Sequence, residues 1–304
     1  MNFPVLEIFT SIQGEGIYTG EPSIFVRVGG CNLRCVFGDT RCDTPYSSFE
    51  HETPKWTTTE EVAEKVNEIL RHQHIKHLVI TGGEPMLYRK SIKDFVSKLE
   101  TDPTKLIIIT IETNGTLPCE GMLWKDDVEY DDETGNAVEW SDTWVDLFSI
   151  SPKLSTSVDK DLKFLTQEQM EHHDKTRINV KNLASYILQV KEITKYLKHT
   201  EDAYRADYIR EMIANKQPVP TYQFKFVYSN EDSVKEIKEL LPLIAQEANI
   251  KMEELNSHVL LMPEGTHPEH LERISKECVD VCIREGWRFC DRLHIRIWGD
   301  KRGV

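Results

Sequence analysis

Ser23-Ile24-Phe25-Val26-Arg27-Val28-Gly29-Gly30-Cys31-Asn32-Leu33-Arg34-Cys35 carries an apolar strand-like run through a glycine turn into a cysteine loop, which continues as Val36-Phe37-Gly38-Asp39-Thr40-Arg41-Cys42-Asp43-Thr44. Three thiolates in one loop can hold a metal centre. Cysteine is the usual ligand of iron–sulfur clusters, and a [4Fe–4S] cube has four irons, so three cysteines leave one iron open. An open position distinguishes a catalytic metal centre from a closed structural one. Two other readings of these residues stand beside the cluster: a structural zinc knuckle, which wants a fourth Cys or His, and plain loop cysteines.

The chain has 304 residues, the length of one large α/β domain or two small ones, and the 39% of them that are hydrophobic suffice for a real core. No apolar run reaches the length of a membrane span, and Met1-Asn2-Phe3-Pro4 lacks the basic start and apolar stretch of a signal peptide, which places the expectation in the cytoplasm. Seven cysteines, an odd number, suit a reducing compartment better than a disulfide framework. The net charge of −14 repels phosphate backbones and speaks against nucleic acid as a partner. The acidic run around Asp126, Asp127, Glu129, Asp131, Asp132 and Glu133 reads as a solvated loop.

Strand and helix signals alternate. Ser23 to Val28 reads as a strand, and Thr57 or Thr58 caps a helix with Glu60 or Glu61 three residues on. His77 to Thr81 is a strand, Lys90 to Leu99 a helix, and Lys105 to Glu112 and Leu147 to Ser151 are strands. Gln223 to Tyr228 is a further strand, followed by a helix beginning at Asn230 or Asp232, a strand Val259 to Met262, a helix Pro268 to Gly286 and a last strand around Leu293 to Trp298. This order predicts a parallel sheet, an open or partial β/α barrel in a single domain spanning 1–304. Residues 117–146 and 154–220, the latter with a helix-like stretch from Leu183 to Ile213, read as two insertions in that domain.

The polar motifs lie at predicted carboxyl ends of strands, where α/β sheets gather ligands. Thr81-Gly82-Gly83-Glu84-Pro85 follows one strand, and its glycines let a backbone approach a ligand closely. Glu84 could there fix a neighbouring turn or meet an ammonium, and a tight strand-to-helix turn explains the motif equally well. Glu112-Thr113-Asn114-Gly115 and Ser151-Pro152-Lys153 close the next two strands, as ligand-facing groups or as ordinary turns. Gln13-Gly14-Glu15-Gly16 precedes the first strand, and Arg27 within it either faces solvent or, in a barrel interior, clamps a carboxylate.

Together these motifs, with Ser11-Ile12 ahead of Gln13, Pro45-Tyr46 after Thr44 and the terminus Trp298-Gly299-Asp300-Lys301-Arg302-Gly303-Val304, resemble the 7-carboxy-7-deazaguanine synthase family of radical S-adenosylmethionine enzymes from end to end. The resemblance implies a [4Fe–4S] cluster that reduces S-adenosylmethionine to methionine and a 5′-deoxyadenosyl radical. That radical abstracts hydrogen from 6-carboxy-5,6,7,8-tetrahydropterin, and ring contraction with loss of ammonia gives 7-carboxy-7-deazaguanine, a precursor of deazapurine bases such as that of queuosine. It also implies Mg2+ at the substrate, an external reductant of flavodoxin or ferredoxin type and a homodimer.

Carried over by position, the resemblance assigns Cys31, Cys35 and Cys42 to the cluster and Thr44 to Mg2+. It assigns Arg41, Cys42, Asp43, Gly83, Glu84, Glu112, Asn114, Ser151, Pro152, Lys153, Met262, Pro263 and Glu264 to the cofactor, and Ile12, Gln13, Gly14, Glu15, Arg27, Thr81, His294 and Val304 to the pterin.

One departure matters. The superfamily spaces its cysteines C-x3-C-x2-C, whereas here an ungapped third position is Gly38, with Thr40 after it, and the cysteine comes four residues later at Cys42. A four-residue insertion that restores Cys42-Asp43-Thr44 is the preferred register; the alternative puts Gly38 and Thr40 in those places. Cys278 and Cys282, four apart on a helix, read as a buried face, and His172-His173 as solvent-exposed. Two other functions stay open: a glycyl-radical activase or another radical enzyme sharing the loop, and a non-enzymatic cluster or zinc protein.

Overall fold

A computed structural model of the chain describes residues 1–49, 54–100, 107–119, 145–199 and 221–304. In chain order its elements are β1 (Asn2–Ile12), β2 (Pro22–Val28), β3 (Val36–Phe37), β4 (Thr40–Arg41), α1 (Pro45–Ser48), β5 (Lys55–Thr58), α2 (Thr59–His72), β6 (His77–Gly82), α3 (Arg89–Val96), β7 (Ile108–Thr113) and β8 (Leu147–Ile150). There follow α4 (Gln167–Thr176), α5 (Val180–His199), β9 (Thr221–Tyr228), α6 (Glu231–Glu247), α7 (Met252–Asn256), β10 (Val259–Pro263), α8 (Pro268–Glu285), β11 (Arg288–Phe289) and α9 (Leu293–Trp298). Short 3-10 turns stand at Pro85–Tyr88 and Ser155–Ser157.

The main sheet has the order β11-β10-β9-β8-β7-β6-β2-β1-β5. Every pairing from β2 to β11 is parallel, and β1 pairs antiparallel with both β2 and β5. The strands β6, β8 and β10 are apolar and buried along nearly their whole length, as strands covered on both faces must be. Helix α2 starts where the capping pattern puts it. The Thr58 side chain accepts from the Glu61 N–H, and Glu61 answers to the Thr58 N–H. Asn230 does the same for α6, accepting from the Asp232 N–H at 2.9 Å.

The predicted α/β alternation thus gives a mostly parallel open sheet, a partial barrel. The two-residue strands β3, β4 and β11 are not expected from the sequence, and neither are the longer β1 and β5. The outer position of β1 and β5 lets them alternate weakly, and β1 carries Glu7 and Thr10 among its apolar residues. The expected last strand at Leu293 to Trp298 is instead helix α9, and the edge strand is the two-residue β11. Leu-His-Ile-Arg-Ile-Trp alternates like a strand, but Ile295 is its one fully buried side chain and Gly299, at φ +68°, ends the helix turn. His173 is a second correction: it is 1% exposed, whereas its neighbour His172 is exposed. Cys278 and Cys282 are buried on α8, as the helical spacing suggests.

The acidic run from Asp126 to Glu133, the strand start at Lys105 and the helix-like stretch beyond His199 lie outside the described residues. None of the described helices is long and apolar enough to cross a membrane.

Candidate active site

The cysteine loop rests on the carboxyl ends of β2 and β6, and glycine makes that contact. The Gly83 N–H donates to the Val28 carbonyl at 3.0 Å and the Glu84 N–H to the Gly30 carbonyl at 2.8 Å. A Cβ at Gly83 would fall 2.1 Å from the Gly30 carbonyl oxygen and 2.8 Å from that of Ser47, so no side chain fits there. Glu84 is fully buried and accepts from the Met86 N–H at 2.9 Å, the Thr113 hydroxyl at 2.7 Å and the Asn114 N–H at 2.7 Å. It therefore ties the β6 turn to the β7 turn, and it lies behind the cavity wall rather than in it. Burial raises its pKa, opposed by those three donors. Asn114 in turn donates to Asn32 Oδ1 at 3.0 Å, and Asn32 donates to Thr116 Oγ1 at 2.8 Å, which fixes the loop between the first two cysteines.

The residues between Cys35 and Cys42 fold back on themselves. Val36 pairs with Arg41 and Phe37 with Thr40, around a Gly38-Asp39 turn in which Gly38 has φ +56°. The hairpin closes with the Cys42 N–H donating to the Cys35 carbonyl at 2.9 Å. Its extra residues are thus absorbed, and Cys42 returns beside Cys35. Thr44 Oγ1 lies 3.5 Å from Cys42 Sγ, whereas Thr40 is exposed on the hairpin and Gly38 faces open space. This geometry supports the Cys42-Asp43-Thr44 register.

Cys31, Cys35 and Cys42 line a cavity of about 450 Å3. Among the described residues no three His, Cys, Asp or Glu side chains gather around a single point as ligands of one ion do. Cluster ligands bind different irons and need not converge. Burial pushes the Cys31 thiol up to about 12, with the Glu84 carboxyl adding to it, and burial also raises Cys35 and Cys42. Lys153, whose Nζ donates to Ser151 Oγ at 2.8 Å, opposes all three shifts. A metal's positive charge is what turns such thiols into thiolates.

The same cavity is lined by Ile12, Gln13, Gly14, Glu15, Arg27, Thr81, His294 and Val304, and by Asp43, Thr44, Gly83, Glu112, Asn114, Ser151, Lys153 and Met262. Arg41, Glu84, Pro152, Pro263 and Glu264 do not line it. The Ser229 hydroxyl donates to the Glu264 carboxylate at the end of β9 and β10, and the Arg41 guanidinium lies over the Phe49 ring.

Sequence reasoning missed two cations, Lys225 and Arg292. Lys225 donates to Glu15 Oε2 and lies 3.9 Å from Glu112 Oε1. Arg292 donates to Glu15 Oε1 at 3.1 Å, to the Gly265 carbonyl at 2.6 Å and to the Asp43 carboxylate. Burial alone would raise the Glu15 carboxyl, but Lys225 and then Arg292 outweigh it and hold Glu15 far below the usual carboxylate range. Glu112 bridges further, accepting from Gln13 Nε2 at 3.2 Å and Thr81 Oγ1 at 2.7 Å. The signal for Lys225 was present: a lysine on the face of β9 shared with Gln223, in a strand otherwise Thr, Tyr, Phe and Val. Arg292 had none, because it precedes a misread element.

Arg27 faces the cavity with its Nε donating to Glu7 Oε1 at 2.6 Å and its guanidinium over the rings of Phe9 and Tyr46. His294 packs on Gly14, where a Cβ would fall 2.0 Å from His294 Nδ1, and burial lowers its pKa although Glu15 pulls the other way.

A partial parallel barrel with a three-cysteine loop at the carboxyl ends of its strands defines the radical S-adenosylmethionine class, and the Radical SAM superfamily model matches residues 25–136. The chain is 31% identical over 300 residues to the 7-carboxy-7-deazaguanine synthase of Halobacterium salinarum, covering 98% of this chain and 91% of that one. It is 28% identical over 300 residues to the synthase of Rhodopirellula baltica, covering 99% and 88%. The crystal structure of QueE from Escherichia coli superposes with a TM-score of 0.54 at 18% identity, covering 97% of this chain and 95% of that one, a likeness of fold. The chain belongs to the 7-carboxy-7-deazaguanine synthase family. The superfamily implies a [4Fe–4S] cluster and S-adenosylmethionine. The donor set fits them: three thiols line one cavity together with the polar strand ends Asn114, Ser151 and Lys153.

Proposed function

We infer that the chain is a 7-carboxy-7-deazaguanine synthase, converting 6-carboxy-5,6,7,8-tetrahydropterin to 7-carboxy-7-deazaguanine and ammonia in deazapurine biosynthesis. The observation that carries this is the 31% identity to a synthase over nearly the whole of both chains. When bound, the cluster and S-adenosylmethionine supply the radical that removes hydrogen from the substrate. The chain's own residues position the reactants and exclude water.

Cys31, Cys35 and Cys42 would hold the cluster, leaving one iron for S-adenosylmethionine. Gly83, Asp43, Asn114, Ser151, Lys153 and Met262 would line the cofactor's side of the cavity. Gln13, Gly14, Glu15, Thr81 and His294 would hold the pterin ring, with Arg27 on its carboxylate. The support for Arg27 is its planar fork, of which Glu7 engages the Nε side. Lys225 and Arg292 keep Glu15 ionised, so that it accepts hydrogen bonds from ring N–H groups. Thr44 would meet Mg2+. One hydroxyl is a weak hard-oxygen ligand and the neighbouring Asp43 is engaged by Arg292, so substrate oxygens must complete the shell. A flavodoxin- or ferredoxin-type reductant and a homodimer complete the proposal.

The test is an anaerobic assay of reconstituted protein with S-adenosylmethionine, Mg2+, a reductant and the carboxytetrahydropterin, beside Cys42→Ala. Product from the wild type and none from the variant is the expected result. Deoxyadenosine without deazaguanine would point to another radical substrate, and the absence of any cluster to a non-enzymatic role.

A further inference from the structure

The elongated cysteine loop is gripped from outside the barrel. Three contacts reach it from one stretch of chain, Ser155 to Arg177, and they fall on both halves of the loop. Between Cys31 and Cys35, the Arg34 N–H donates to His173 Nδ1 at 3.2 Å. That bond fixes the neutral tautomer with its proton on Nε2, which donates to Ser157 Oγ at 3.1 Å, and Ser157 donates to the Leu154 carbonyl at 2.6 Å. At the hairpin tip Lys163 pairs with Asp39. On the hairpin's second strand the Arg41 guanidinium stands 6.0 Å from the Phe164 ring centroid and 5.6 Å from that of Phe49.

The gripping turn is itself built. Asp159, 3% exposed, accepts from the N–H groups of Lys163 at 3.0 Å, Phe164 at 2.7 Å and Leu165 at 2.9 Å. Leu165 is buried, while Lys163 and Phe164 project outward onto the hairpin, 44% and 42% exposed. A two-stranded hairpin is marginal alone in water, so this one needs a support to hold Cys42 at a fixed place beside Cys35.

We propose that the Ser155–Arg177 segment is a clasp that positions the lengthened cluster loop, with Lys163 and Phe164 as the positioning residues for Cys42. The clasp holds the hairpin down; without it the third thiolate leaves its iron more often and the cluster is lost. The proposal rests on the reading that Cys31, Cys35 and Cys42 hold the cluster.

The test compares reconstituted wild type with Lys163→Ala/Phe164→Ala by following the cluster's visible absorbance under anaerobic challenge with an iron chelator. Both side chains are partly exposed, so the folded domain survives, which thermal unfolding of the unreconstituted proteins checks. The expected result is a cluster lost about 10-fold faster in the double variant, with recovery to within about 2-fold in Lys163→Arg/Phe164→Tyr, which restores the charge pair and the ring. Equal loss rates in wild type and double variant, or a fast loss that the conservative pair does not repair, would overturn the clasp. A wild type that assembles no cluster would overturn the cluster reading itself, a separate outcome.

Discussion

Arg292 and Asp43, 249 residues apart in sequence, form an ion pair next to the third cysteine of the loop. The same guanidinium holds Glu15 and the Gly265 carbonyl, and its side chain is 7% exposed. One residue at the end of the barrel thus joins the cysteine loop to the Gln13-Gly14-Glu15 loop. Arg292→Met leaves Glu15 with Lys225 alone, and removal of one partner from such a buried pair costs about 3–5 kcal/mol. The expected outcome is a thermal midpoint lowered by roughly 10 °C. Arg292→Lys, which cannot span three acceptors, restores less than half of it. A midpoint within about 2 °C of wild type for Arg292→Met would contradict the joint.

Acid should loosen the far end of the barrel through His77. His77 sits between Ser23 Oγ at 2.7 Å and Thr110 Oγ1 at 2.8 Å, and burial pushes its pKa from 6.5 down to about 4. A depressed folded value favours the neutral ring. Its contribution is therefore full above pH 6.5 and is lost as pH falls from 6.5 towards 4. At pH 5 the loss is about 2 kcal/mol. In urea unfolding at pH 7.5 and pH 5, wild type should lose about that much more stability than His77→Phe, which has no proton to take up. Parallel losses in the two proteins would show that His77 does not carry the effect.

Much of this was legible in the sequence where one physical signal dominated. The buried parallel strands announce themselves as apolar runs, and the capping residues Thr58 and Asn230 mark helix starts through their own hydrogen bonds. The site's glycines and polar strand ends were legible for the same reason, since a local turn dictates them. What was not legible depends on distant partners. Lys225 is read as a strand lysine until Glu15 and Glu112 are opposite it. His173 looks solvated until the cysteine loop lies against it. Leu293 to Trp298 alternates like a strand, and its failure to pair is decided by the edge of the sheet, where β11 already stands.

Glu84 acts as a brace between two turns, and its chemistry gives a sharp test. Its Oε1 accepts from Met86 and Thr113 and its Oε2 from the Asn114 N–H. Glu84→Gln keeps the shape but sets an amide NH2 against one of these donors. Such a buried mismatch costs about 1–3 kcal/mol. Stability should fall by that amount in urea unfolding, and iron bound after reconstitution should fall with it, because Asn114 carries the turn that holds Asn32. A variant as stable as wild type and fully loaded with iron would show that the brace is dispensable.

Two glycines of the cysteine region separate close packing from loop freedom. At Gly83 a methyl group meets two backbone carbonyl oxygens, 2.1 Å and 2.8 Å away, and backbone cannot swing aside as a side chain can. At Gly38 the surroundings are open within 4 Å, and the cost is the left-handed φ of +56° alone, about 1–2 kcal/mol for a non-glycine residue. Gly83→Ala should therefore displace the Gly30 to Ser47 span from β6 and abolish cluster assembly, read as iron per chain after anaerobic reconstitution. Gly38→Ala should keep iron content within about 20% of wild type, since a strain of that size in an exposed turn is absorbed locally. Should Gly83→Ala load iron normally, the loop would be held by its side-chain contacts to Asn114 and His173, and the glycine pair would be a simple turn.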